Sequence, residues 1–273
     1  MSDERGGGKL TLVATPIGNL SDLSSRAIEA LTLADYWIVE DSRISGKLAS
    51  HLGLKKSMKV LNDHTSPVQI GRYLDDLRHG AQAALLTDGG SPAISDPGAI
   101  LTDLCHEANV AIEGIPGPSA VVTALMLSGF FAQRFAFLGF LGRKPGAIRS
   151  ELSAFADSPL TLVLFESPHR IDVLLKTAHE ALGERRYAIC RELTKMHEQV
   201  YRSVLPNIPD EATVPRKGEL TLVMEGRRSK GKPPLSDLRV VTRVHRHTNR
   251  QPSPRGGQQC EKGGCAARKW TTR

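Results

Sequence analysis

The sequence predicts two α/β domains followed by a basic, disordered tail. Three observations carry this. Apolar runs that barely alternate, such as residues 10–14 (LTLVA) and 83–86 (AALL), read as strands buried on both faces, as in a parallel sheet. Between them lie stretches with helical period, which gives the β-α-β-α order of a mostly parallel sheet. Beyond Arg227 the periodicity stops, and "RRSKGKPP", "TNRQPSPRGGQQ" and "EKGGCAARKWTTR" are too polar and rich in Gly and Pro to bury a core.

The elements follow in order. After strand 10–14 comes the loop "TPIGNL" and a helix over 24–34, with Leu23, Ala27, Ile28, Leu31 and Ala34 on one face. "YWIVE" is the second strand. A helix, the strand "MKVL", a helix over 67–79 and the strand "AALLT" come next. A twelve-residue loop, "TDGGSPAISDPG" (87–98), leads to a helix over 100–108. The strand "VAIEGI" ends in "PGPSA", which opens an apolar helix over 121–127. A break near 129–134 closes the first domain, residues 1–132. The second and smaller domain, 133–229, runs from "FAFLGFLGRKPG" through a helix over 147–156, "LTLVLFE", a helix over 170–182, "YAICRE" and "EQVYRSV" to "ELTLVMEG". Residues 230–273 are the tail.

Charge is divided unevenly. The net +7 of the chain comes from its end, since residues 227–273 hold 13 Lys and Arg against 2 Asp and Glu. The first 226 residues hold 23 basic against 27 acidic side chains, so the folded body is not broadly electropositive. No run approaches the ~18 apolar residues of a membrane span. The start, MSDERGGGKL, lacks the basic and apolar segments of a signal peptide, which predicts a cytoplasmic protein. Cys105 and Cys190 sit in apolar patterns as buried free thiols. Cys260 and Cys265 form a lone C-x4-C pair without the second ligand pair of a zinc site, so no metal is expected.

Three Gly/Pro loops follow strands: 15–20, 87–98 and 114–120. In a parallel sheet such ends share one edge, where α/β sheets bind ligands. Glycine lets main-chain groups approach a ligand and proline sets the loop shape, which suits an adenosine-like molecule held by the backbone. G-x-G-x-x-G and G-x-x-x-x-G-K-[ST] are both missing, which argues against a nicotinamide domain and a P-loop ATPase. Three polar clusters, "EDSR" (40–43), "FESPHR" (165–170) and "RELTKMHE" (191–198), also follow strands. Each could be helix caps and ion pairs, as Asp41 or Ser42 before one helix and Ser167–Pro168 before another. Three at the same end of their strands fit a site better.

"TLVATPIGNLSDLSSRAIEALTLADYWIVEDSR", "LLTDGGSPAISDPG", "IPGPSA", "FLGFLGRK", "LFESPHRI" and "RELTKMHE" occur in this order. Over residues 9–226 the chain resembles the small-subunit ribosomal RNA 2′-O-methyltransferase I family, of the S-adenosylmethionine-dependent tetrapyrrole methylase class. The usual G-x-G-P-G and G-D-P of tetrapyrrole methylases are replaced by "TPIGN" and "GSP", as in the ribosomal branch. The resemblance implies a dimer of two-domain subunits with S-adenosylmethionine in the cleft between the domains. It implies methylation of the ribose 2′-hydroxyl of a cytidine, cytidine-1402, in the decoding region of 16S ribosomal RNA. Cofactor contacts would come from Pro16, Gly90, Ser91, Ile94, Ser119, Ala120, Phe165 and Glu166. The family continues past "EG" into a small apolar helical segment. Residues after about Leu238 lack that pattern; a changed reading frame or a divergent tail would each produce this stretch.

Methyl transfer to oxygen is an in-line displacement, so alignment supplies much of the rate. A ribose hydroxyl also needs a base, typically for ~10²–10⁴. The candidates are Asp41, Asp88, Glu166 and Glu192, with Asp88 and Glu166 favoured because they adjoin the cofactor loops. Arg43, Arg143, Lys144, Arg149, His169, Arg170, Arg191 and Lys195 are the candidates for RNA phosphates. A methylase of tetrapyrroles or other small molecules, and a non-catalytic RNA-binding relative, are the rival readings.

Overall fold

The computed structural model describes residues 7–227 and 241–244. In the first half, β1 (Lys9–Val13), β2 (Tyr36–Val39), β3 (Ser57–Val60), β4 (Gln82–Leu86) and β5 (Ala111–Ile115) form a wholly parallel sheet in the order β3-β2-β4-β1-β5. Neighbouring side chains on a strand go to opposite faces, and both faces are covered. Leu10, Ile38, Ala83 and Leu85 pack under α3 (Pro67–Arg78) and α4 (Gly98–Glu107). Val13, Trp37, Val39, Ala84 and Leu86 pack under α1 (Ser25–Leu33) and α2 (Ser42–His51). That two-sided burial is why these strands show no alternation, and each buried Leu contributes about 1.5–3 kcal/mol.

Side-chain caps start three of these helices. Ser24, Asp41 and Ser66 accept from the backbone N–H of Ala27, Arg43 and Gln69, and Pro67 occupies the first turn of α3. The expectation for Ser167 is not met, because its side chain makes no cap hydrogen bond. Pro168–Arg170 is instead a short 3-10 turn leading into α7 (Ile171–Leu182).

The second half contains β6 (Phe135–Phe140), α6 (Pro145–Ser153), β7 (Thr161–Glu166), α7, β8 (Arg186–Arg191), β9 (Gln199–Val204) and β10 (Leu220–Met224). Only β6 and β7 run parallel; β10 lies antiparallel between β7 and β8, and β9 is antiparallel to β8. The two α/β halves are therefore as expected, with a mixed second sheet. The register sets Leu220 opposite both Glu166 and Arg191, so the ends of β7 and β8 lie on one rim.

Helix α5 (Ala120–Ser128) joins the halves. Its Val121, Ala124 and Leu125 pack on Val163, Ala188, Cys190, Val200 and Val223 of the second sheet. It ends at Gly129, whose φ of 62° is the left-handed stop expected of the break after it. Most of the tail, with Cys260 and Cys265, lies outside the described residues. Within it, β11 (Val241–Val244) is a departure from the expected lack of structure: it adds to the open edge of β9, as its β-branched residues permit. Cys105 and Cys190 are buried free thiols. No described helix is long and apolar enough to cross a membrane.

Candidate active site

The three Gly/Pro loops meet. Thr15 and Gly90 exchange backbone hydrogen bonds of 2.9 and 3.0 Å, and the Thr15 hydroxyl donates to the Thr87 carbonyl at 3.2 Å. A Cβ on Gly117 would stand 3.0 Å from that of Ala14, and one on Gly89 would stand 3.2 Å from the Pro16 carbonyl oxygen. Gly90 has φ of 97°, which glycine tolerates. Ala93 and Ser95, both at φ 63°, have no such excuse; a non-Gly residue held there costs of order 1–3 kcal/mol and needs its surroundings to hold it. Asp96 fixes the turn that follows them: its Oδ1 accepts from the Gly98 N–H at 2.7 Å, and burial raises its pKa.

The second half closes against the first loop. A Cβ on Gly18 would meet Lys195 Cγ at 2.4 Å, Thr194 Oγ1 at 2.8 Å and the Leu193 carbonyl oxygen at 2.9 Å. The 192–198 loop is strained in its turn, with positive φ at Glu192 (52°) and Thr194 (64°). The Glu198 carboxylate accepts from the Thr194 N–H at 2.7 Å, and Lys195 bridges Glu192 and Glu219 at 3.0 and 2.9 Å. Phe165 packs edge-on against Phe137, with ring centroids 4.9 Å apart, and joins Ile17 and Ala120 at the border of the α5 core. Ser119 caps α5 through the Val122 N–H. Pro16 and Ser91 are half-buried on the facing loops, and Ile94 is exposed at the tip of its loop.

The four candidate carboxylates separate in this frame. Asp41 takes hydrogen bonds from the side chain and backbone of Arg43, which lower its pKa to about 2; it is a cap and a poor base. Glu192 is pulled up by burial, but hydrogen bonds from the Glu219 N–H and Lys195 outweigh that and leave it below the usual range. Glu166 is almost wholly covered: Oε1 accepts from the Ser167 N–H at 2.7 Å, and Oε2 lies 3.2 Å from Arg170 outside hydrogen-bonding geometry. Asp88 is the exception. Burial raises its pKa, and the carboxylate of Glu40 raises it further. Its Oδ1 accepts from the Asp41 N–H at 3.2 Å, while Glu40 Oε2 accepts from the Thr87 hydroxyl at 2.7 Å. Sequence reasoning passed over Glu40 as a site residue, although its place at the end of β2 beside β4 was a usable signal.

The basic candidates divide as well. Arg170 donates to the Leu141 and Gly142 carbonyls, and Arg191 to those of Lys217 and His197, so both hold loops in place. Lys195, Arg149 and Arg43 are ion-paired, the last two with Glu180 and Asp41. Arg143, Lys144 and His169 are exposed, and no ion pair engages them among the described residues.

Residues 9–209 match the tetrapyrrole (corrin/porphyrin) methylases. The chain is 40% identical over 224 residues to the ribosomal RNA small subunit methyltransferase I of Haemophilus influenzae, covering 81% of this chain and 79% of that protein. It is 42% identical over 222 residues to the protein of the same name from Mycobacterium tuberculosis, covering 80% and 78%. The chain belongs to the tetrapyrrole methylase family, in the small subunit methyltransferase I branch. Among solved structures it is similar in fold to the uroporphyrin-III-C-methyltransferase of Thermus thermophilus, with a TM-score of 0.56, 22% identity and coverage of 79% of this chain and 94% of that one. Family membership makes the chain an S-adenosylmethionine-dependent methyltransferase. The residues present fit that cofactor. Where the loops meet, Gly89, Gly90 and Gly117 carry no side chain, and the neighbouring Glu40 and Asp88 carboxylates suit a nucleoside bearing positive charge.

Proposed function

We propose that the chain methylates the 2′-hydroxyl of a cytidine ribose, cytidine-1402, in the decoding region of 16S ribosomal RNA. Relatives near 40% identity across about four-fifths of the chain, all named for the ribosomal RNA of the small subunit, carry the reading. The reaction takes place in the cytoplasm on the small ribosomal subunit. The cofactor supplies an activated methyl group on sulfur. Pro16, Gly90, Ser91, Ile94, Ser119, Ala120 and Phe165 hold it, with Glu166 fixing the end of β7 behind them. Asp88 takes the proton from the 2′-hydroxyl; burial and the Glu40 carboxylate raise its pKa toward the operating pH, whereas hydrogen bonds hold Asp41 and Glu192 below the usual range. Arg143 and Lys144, exposed on the turn before α6, meet RNA phosphates, and the interlocked loops keep the reacting atoms aligned.

The active unit is a homodimer. Helix α5 is apolar all round, and its outer face leaves Val122 and Met126 51% and 74% exposed, a surface that calls for a partner. The deciding experiment is transfer of labelled methyl from S-adenosylmethionine to small subunits, run beside uroporphyrinogen-type acceptors. Label in the 2′-O-methyl cytidine of 16S RNA is the expected result. Label in the tetrapyrrole alone establishes the small-molecule methylase, and donor binding without transfer to either establishes a non-catalytic relative.

A further inference from the structure

Loop 87–98 has two flanks. One carries Gly90 against the first and third loops, and the other carries Ser95 to Pro97. That second flank borders an open-sided cavity of about 440 Å³, lined also by Asn62, Asp63 and Thr65 after β3 and by Ile70 and Ile100. We propose that this cavity receives a nucleobase of the RNA close to the methylated nucleotide. The inference rests on the ribosomal RNA reading and deepens it.

Three observations converge. The volume lies in the range of small-ligand pockets. Its floor is apolar, and Ile100, 55% exposed on α4, offers a face on which a flat ring can lie. Its rim carries a donor beside an acceptor. The Asn62 side-chain oxygen is engaged by the His64 N–H at 3.0 Å and by the Thr65 hydroxyl, which leaves the amide nitrogen as the outward donor. Asp63 is exposed and offers a carboxylate. A base edge with an acceptor next to an exocyclic amine, as in cytosine or adenine, matches that pair, and Asp and Asn are the side chains that read such edges. The O4 and N3–H of uracil present the same order of groups and match as well. A phosphate, which Asp63 and Asp96 would repel, does not.

The cavity is also built to hold its shape. The Thr65 hydroxyl accepts from the Asn62 N–H at 2.9 Å, and the Thr65 N–H donates back to the Asn62 carbonyl at 2.9 Å. Opposite, Ser95 keeps its strained φ, with Asp96 anchored beside it. Ser95 also lies 3.0 Å from where a Cβ on Gly139 of β6 would be, so the wall touches the second half. Target bases must be splayed out for the ribose to reach the donor, and a flanking base needs a place to go.

Two variants test this: Asp63→Ala removes the acceptor, and Ile100→Trp fills the floor from an exposed position. Steady-state methylation of small subunits, donor affinity by calorimetry and the thermal transition are measured for each. The expected result is a KM for subunits raised about 5- to 100-fold, the value of one good base contact. The kcat, the donor affinity and the transition should stay at wild-type values. A KM unchanged in both variants overturns the assignment while the ribosomal RNA reading stands. A KM that falls in Asp63→Ala overturns it too, because a lost repulsion between charges would then be the whole effect. A wild-type chain that leaves subunits unmethylated overturns both readings together.

Discussion

Asp88→Asn separates a catalytic carboxylate from a structural one. The amide oxygen of asparagine can still accept from the Asp41 N–H, at 3.2 Å in the native site, so the link between the ends of β2 and β4 survives. What disappears is a negative charge facing Glu40. Burial first and Glu40 second raise the folded-state pKa of Asp88 above 3.8. A raised carboxyl stabilises the fold only where it is protonated. That contribution is complete below the unfolded pKa and is lost as pH rises through the folded one, so at pH 7–8 the ionised Asp88 is a liability. Removing a half-exposed like charge should recover at most about 1 kcal/mol after solvent screening. In a chain of this size that is a rise of up to about 2–4 °C in the thermal transition. Turnover on small subunits should fall by ~10² or more, because an amide cannot accept the proton. Calorimetry of donor binding, a thermal scan at pH 7.5 and a methylation time course measure the three quantities. Near-normal turnover with a lowered transition would refute the reasoning, and Asp88 would then be a structural link.

Ser91→Trp places bulk on a loop proposed to hold the donor, so titration calorimetry should register loss of S-adenosylmethionine binding with little change in the thermal transition. Gly18→Ala drives a methyl group to within 2.9 Å of the Leu193 carbonyl oxygen, which cannot swing aside as the Lys195 stem can. Overpacking of this kind costs about 1–3 kcal/mol, and a thermal scan should record the drop along with weaker donor binding.

The order and period of the elements were legible in the sequence. Residues 10–14 and 83–86 announce two-sided burial by their lack of alternation. The Gly and Pro content of three loops at strand ends foretells that they meet, because parallel strands bring those ends to one edge. The direction of the later strands was not legible: β7, β8 and β10 are apolar on both faces, and a run without alternation looks the same in either orientation.

The roles of individual charged residues were beyond sequence reasoning for a different cause. Asp41 and Asp88 are both acids just past a strand. Asp41 is held locally by Arg43 two residues on, whereas only the pairing of β2 with β4 sets Asp88 near Glu40, 48 positions away in the chain, whose carboxylate accepts from the Asp88 N–H. Arg170 and Arg191 stand in the sequence as candidates for RNA phosphates, yet they donate inward to carbonyls brought close by folding. Local propensity and burial period belong to neighbours along the chain, and the sequence alone determines them. A carboxyl's pKa and a guanidinium's partner depend on groups a few ångströms away through space, and those neighbours exist only once the chain has folded.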